Sequence, residues 1–150
     1  MPTQEQIHKE LDLLQDAIKR MADNAFKVKG WAIGIFMAVI VLGKDALLLE
    51  KSIVGLLLSL SLLVPVFCFW YLDAFFLQKE RKFRRIYEWL IQHRPTMDQY
   101  LYDLKTLDRQ PEKITDPPST LRIMFSHTLL PFYLIPVVLT AAILFYQLSC

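Results

Sequence analysis

Apolar residues fall into two kinds of pattern along this chain, a narrow stripe among charges at the start and long uncharged runs afterwards. Ile7, Leu11, Leu14, Ile18, Met21, Ala25 and Val28 follow one another at alternating spacings of four and three. This is a heptad seam sustained for three repeats, the mark of a helix with one apolar edge. Lys9, Glu10, Asp12, Asp16, Lys19, Arg20 and Asp23 occupy the other faces. Thr3-Gln4-Glu5-Gln6 reads as a capping box, with Thr3 as N-cap and Gln6 reaching back to it. Two partners suit the seam. One is the same helix of a second copy, with Ile7, Leu11, Leu14, Ile18 and Met21 as oligomer contacts. The other is the amphipathic helix that follows Asp73.

The first uncharged run is Gly30 to Gly43, only 14 residues between Lys29 and Lys44. As a helix it covers roughly 21 Å, short of the ~30 Å hydrocarbon core of a bilayer. Lys27 and Lys29 can snorkel, and Ala46 to Leu49 prolong the apolar run beyond Lys44-Asp45. It reads as a first span, with a re-entrant or interfacial helix as the alternative. Gly30, Gly34 and Ala38 form a row of small residues, which lets helices approach closely in lipid. The row serves packing within one subunit or contact between subunits, and Gly55 and Ser59 continue it in the next span.

Ser52 to Leu72 is 21 residues without a charge, enough for a second span. Pro65 predicts a kink, and Ser59 and Ser61 can bond to the preceding turn. Trp70 and Tyr71 stand at its end, where aromatic side chains favour the headgroup layer. Asp73 follows at once, either solvated, paired with a nearby cation, or part of a gate. No helix breaker separates the span from DAFFLQKERKFRRIYEWL, so one helix leaves the membrane and continues into the cytoplasm. Its apolar side is Phe75, Phe76, Phe83, Ile86, Tyr87, Leu90 and Ile91, and it carries Lys79, Arg81, Lys82, Arg84 and Arg85. Pro95 ends it near His93 and Arg94. A short helix is expected over 97–107, capped by Thr96, and then a proline-containing loop. Ser119 or Thr120 caps the last helix, and Ile123 to Cys150 is free of Lys, Arg, Asp and Glu for 28 residues. Pro131 and Pro136 predict a kink in its first half, and Tyr133, Phe145 and Tyr146 supply interfacial aromatics.

Charge then sets the topology. Five Lys and Arg precede the first span, two lie between spans one and two, ten between spans two and three, and none follows. Positive charge stays inside, which gives a cytoplasmic N-terminus, a short outer hairpin and an outward C-terminus. The expected fold is an all-α integral membrane protein with three transmembrane helices. Its cytoplasmic helical layer is formed by the N-terminal amphipathic helix and the loop between spans two and three. The segments are 1–29, a cytoplasmic amphipathic helix; 30–72, a transmembrane hairpin; 73–122, a cytoplasmic helical segment; and 123–150, a transmembrane helix. At 150 residues and 54% hydrophobic content the chain holds one compact unit. The polar N-terminus lacks the basic and apolar regions of a secretory signal, so none is expected.

Candidate chemistry is sparse. The glycines form no phosphate loop, and Cys68 and Cys150 have no disulfide or redox spacing. His8, His93 and His127 lie far apart, so no metal site and no cofactor are expected. The basic run Lys79, Arg81, Lys82, Arg84 and Arg85 has three readings, in falling order of preference. It holds the loop inside against anionic lipid, it binds an anionic signal such as a nucleotide, or it contacts nucleic acid or an acidic protein.

Tyr71, Leu72, Asp73, Ala74, Phe75, Phe76, Glu80, Arg81, Phe83, Arg84 and Tyr87 resemble a segment of small multi-span membrane proteins encoded in bacterial antiphage defence loci. The resemblance covers about twenty residues. It implies an inner-membrane effector that self-associates and compromises the membrane when triggered from the cytoplasm by a soluble defence partner or an anionic second messenger. Arg122-Ile-Met-Phe-Ser-His127 also matches the Arg-x4-His motif of HEPN-type ribonucleases. With a membrane segment it is similar to the accessory pore protein of some RNA-targeting CRISPR systems, which has a degenerate HEPN-like motif. This chain departs from that pattern by its three spans and by a motif at a membrane edge. The expected function is therefore non-enzymatic, with Trp70, Tyr71, Asp73, Arg122 and His127 as interface or gating residues. The alternative is a membrane scaffold or sensor that recruits a soluble partner.

Overall fold

The computed structural model describes residues 3–49, 51–93, 101–102 and 117–149. Helix α1 is Gln4–Leu42, and a single π-helical turn, Asp45–Leu49, follows it. Helix α2 is Ile53–His93, α3 is the short Thr120–Met124, and α4 is Leu130–Leu148. No strand occurs among the described residues. Helix α1 starts as its capping box predicts. The Gln6 amide donates to Thr3 Oγ1 and the Thr3 amide donates to Gln6 Oε1. The helix then runs through Lys29 and Gly30 without a break, so the expected cytoplasmic helix and first span are one rod of 39 residues, roughly 58 Å long. Helix α2 is equally continuous across Asp73, as its sequence predicts, and passes through Pro65. Ser59 Oγ donates to the Gly55 carbonyl and Ser61 Oγ to that of Leu58, both in the preceding turn.

These two rods lie antiparallel, and α3 and α4 pack on α2 as well, so α2 is the shared element. One cluster joins Phe36 of α1 and Leu62, Val66, Trp70 and Ala74 of α2 to Leu129 and Tyr133. The second lies in the arm formed by the first half of α1 and the second half of α2. Leu14 is fully buried there against Ile86, Trp89 and Leu90, with Leu11 beside it. The seam of α1 is thus covered within the chain at Leu11 and Leu14, while Ile7, Ile18 and Met21 are half-buried. The buried face of α2 is turned slightly from the expected one. Trp89 is inside, packed with Leu14 and stacked on His93 at 4.7 Å, and Ile91 is exposed.

Three helices, α1, α2 and α4, are long and apolar enough to cross a membrane. Their apolar halves bury little within the chain. Trp31, Met37, Val41, Leu42, Ile53, Leu57, Val64 and Phe145 are all exposed. Soluble monomers rarely expose so continuous an apolar surface.

The last helix departs from expectation. Ser119 caps α3 by accepting from the Arg122 amide, but α3 ends at Met124. A turn over 125–129 separates it from α4. Pro131 then lies in the first turn of α4, where its missing N–H breaks no bond. The expected kink is a break, and α4 has 19 residues. Of the short helix expected over 97–107, only Leu101 and Tyr102 lie among the described residues, and they form a turn. Tyr102 has φ 62°, a left-handed conformation costing about 1–2 kcal/mol for a residue with a side chain. Its amide is held by buried Glu10, 2.9 Å away, and its hydroxyl donates to the Gln6 carbonyl.

At the end away from this arm, the π-turn leaves backbone carbonyls without helical donors. Gln147 of α4 supplies them: its Nε2 donates to the Ala46 and Leu47 carbonyls at 2.9 and 3.0 Å. Its Oε1 accepts from the Ser52 amide, and Lys51 Nζ donates to the Ser149 carbonyl.

Candidate functional site

Asp73 is where the three long helices meet. Buried positions recur along α2 at Leu62, Val66, Trp70 and Asp73, spaced four, four and three, so the carboxylate faces its neighbours with this stripe. On α1, Lys29 lies four residues after buried Ala25 and seven before buried Phe36, on the same face. Lys29 Nζ is 2.7 Å from Asp73 Oδ1. From the first turn of α4, the Tyr133 hydroxyl lies 3.2 Å from Asp73 Oδ2 and 3.3 Å from the Phe69 carbonyl, and donates to them. Asp73 is fully enclosed, whereas the Lys29 side chain keeps 31% of its surface exposed. A carboxylate buried alone is strongly unfavourable, and here a cation and a hydroxyl together satisfy it. The result is a polar tie of α1, α2 and α4 at one level.

An aromatic group locks this level further. The Trp70 Nε1–H donates to the Met124 carbonyl at 2.9 Å. That carbonyl ends α3 and has no helical donor of its own. The Trp70 ring stacks on Tyr133 at 5.7 Å and on Phe67 at 6.1 Å, with Phe125 edge-on at 5.4 Å. Trp70 and Tyr133 are core residues of the chain, each with a buried polar partner for its one polar atom. Tyr71 is exposed, as an interfacial residue would be. Trp70→Phe should lower stability by about 1–3 kcal/mol by orphaning the Met124 carbonyl. Tyr71→Phe should leave the unfolding midpoint in detergent unchanged.

The cations of the basic run do not converge. At 100° per residue, Lys79, Arg81, Lys82, Arg84 and Arg85 point around the helix. Arg84 pairs with Glu80 at 2.8 Å, Lys79 lies over the Phe75 ring at 5.5 Å, and Lys82 and Arg85 are also partnered. Lys79 and Lys82 share a shallow hollow with Gln78 and Pro117. Arg122, in α3, and His127, in the turn after it, are both exposed. No cluster of His, Cys, Asp and Glu suited to a metal occurs among the described residues. Of the small-residue row, Gly30 and Gly34 are exposed with open space beyond them, whereas Gly55 is buried. Ser59 and Thr140 are buried on bonds within their own helices, while Ser61 and His127 are exposed.

The sequence reads Lys29 as a snorkelling cation and Tyr133 as an interfacial aromatic, and does not name them as the partners of Asp73. The signal for Lys29 is its place at the start of one apolar run while Asp73 stands at the end of the next, since a hairpin brings those ends level. No protein-family model, curated protein or solved structure matches this chain.

Proposed function

We propose that the chain is a multi-pass protein of the bacterial inner membrane, acting as a homo-oligomeric effector that permeabilises the membrane on a cytoplasmic trigger. The arm formed by the first half of α1 and the second half of α2 lies in the cytoplasm with the segment before α3, and the C-terminus lies outside. The observation that carries this reading is mechanical. Two unbroken rods pass from the polar arm into the apolar half, and the Lys29–Asp73–Tyr133 tie couples them to α4 at the crossing. Movement of the arm by a bound protein or messenger is then passed to α4. The exposed apolar halves support insertion, and the distribution of Lys and Arg supports the orientation. The place in antiphage defence rests on the resemblance of Tyr71 to Tyr87 alone.

Exposed Leu13 and Ile91 on the arm favour a second reading, a scaffold or sensor that recruits a soluble protein without a pore. Phage challenge of cells carrying the gene with its neighbours, followed with a membrane-potential dye, separates the two. Depolarisation during protection supports the effector. Protection with unchanged polarisation, and one stoichiometric soluble protein on pull-down, supports the scaffold.

Self-association can be tested on its own. Nothing lies within 4 Å of a Cβ built at Gly34, so Gly34→Leu leaves the monomer intact and gains under about 1 kcal/mol of helix propensity. If copies meet through this face, the variant runs as a monomer in light scattering while circular dichroism shows its helices intact.

A further inference from the structure

The face of α1 that presents Lys29 becomes apolar immediately below it, at Ile33, Phe36 and Met37. Between this face and α4, over Val66 of α2, lies an almost wholly apolar cleft of about 230 Å³. Ile135 and Leu139 line its α4 side. Tyr133 forms part of the same wall while its hydroxyl holds Asp73, so the cleft reaches up to the polar tie. A packed interior leaves few such spaces empty, and an apolar one is not filled by water.

We infer that this cleft binds one acyl chain of an anionic phospholipid, with the headgroup phosphate on Lys29; this rests on the membrane reading above. Three features select that occupant. The walls offer almost no hydrogen-bonding partner, so the part that enters is hydrocarbon. The ammonium at the upper end has three donors, one engaged by Asp73, on a side chain that keeps 31% of its surface exposed. The buried anion at that level among the described residues, Asp73, is already paired on both oxygens and so does not repel a phosphate as a bare carboxylate would. On the proposed orientation Lys29 stands at the cytoplasmic leaflet, where anionic headgroups lie. A lipid seated there shares the cation that ties α1 to α2, and so biases the same junction that the arm moves.

The test uses the full chain carrying Trp31→Phe and Trp89→Phe, which leaves Trp70 beside Tyr133 as the one tryptophan and the reporter near the cleft. Resistance of the expressed protein to alkaline extraction from membranes tests the membrane reading separately. In phosphatidylcholine nanodiscs, phosphatidylglycerol with brominated acyl chains should quench with a slope roughly threefold steeper than brominated phosphatidylcholine, the preference of one exposed ion pair. Filling the cleft by Ala32→Phe, or independently by Leu139→Phe, should abolish the difference while circular dichroism stays unchanged. Equal slopes for the two lipids, or a preference that survives the filling variant that remains folded, overturn the inference.

Discussion

Lys29→Met should lower the free energy of unfolding by about 3–5 kcal/mol, and Asp73→Asn by clearly less. The asymmetry follows from exposure. Removing Lys29 leaves a carboxylate with no access to solvent and only the Tyr133 hydroxyl to satisfy it. Removing the charge of Asp73 leaves an ammonium whose side chain is 31% exposed and whose flexible stem can carry it outward. The asparagine can still accept from Tyr133. The double variant, Lys29→Met with Asp73→Asn, buries no charge at all and should recover most of the loss, because a buried pair contributes little beyond the desolvation it offsets. Unfolding in detergent, followed by tryptophan emission, measures all three. Equal losses for the two single variants, or no recovery in the double, would show that the pair is not buried as a unit. Asp73→Asn should also alter toxicity without preventing insertion, since the apolar runs that direct insertion are untouched.

Much of the architecture is written in local pattern. The Thr3–Gln6 cap, the seam through Leu11 and Leu14, and the continuity of α2 from Ile53 to His93 each depend on residues within a few turns of one another. Segments beyond that range were less legible. Pro131 reads equally as a kink or a start, because proline disrupts a helix interior but is harmless in its first turn. The choice here depends on Trp70 capturing the Met124 carbonyl, 54 residues away in sequence. The partners of the seam stood open until the return of α2 covered it. Tyr133 reads in the sequence as an interfacial aromatic, because its role on Asp73 depends on a junction of three helices and not on its neighbours in the chain. The charged run of α2 reads as one site when taken as a linear run, whereas the helical angle between its members spreads them around the helix. On the helix its members face different ways and several find local partners.

Gly55→Ala should lower stability by about 3 kcal/mol or more, although the same change at Gly34 is harmless. A Cβ at Gly55 collides with the Ala46 carbonyl oxygen and comes within 2.7 Å of Gln147 Nε2. Gln147 could swing aside, but its amide is the donor to both Ala46 and Leu47, and the π-turn would lose it. The Ala46 oxygen belongs to the backbone of that turn and cannot move alone. Gln147→Leu removes the donor without the collision, so Gly55→Ala should cost less in that background than in the parent chain, a coupling that unfolding midpoints of the four proteins can measure. The consequence reaches function because α4 is fixed to α2 at two levels, by Gln147 at one end and by Tyr133 on Asp73 at the other. A trigger acting through the arm loads only the second. If release of α4 is the active step, weakening either tie lowers the threshold, so Gly55→Ala and Asp73→Asn should both depolarise cells in the absence of a trigger and Gly34→Ala should not. Depolarisation by Gly34→Ala alone would place the active step at the exposed face of α1 instead of at α4.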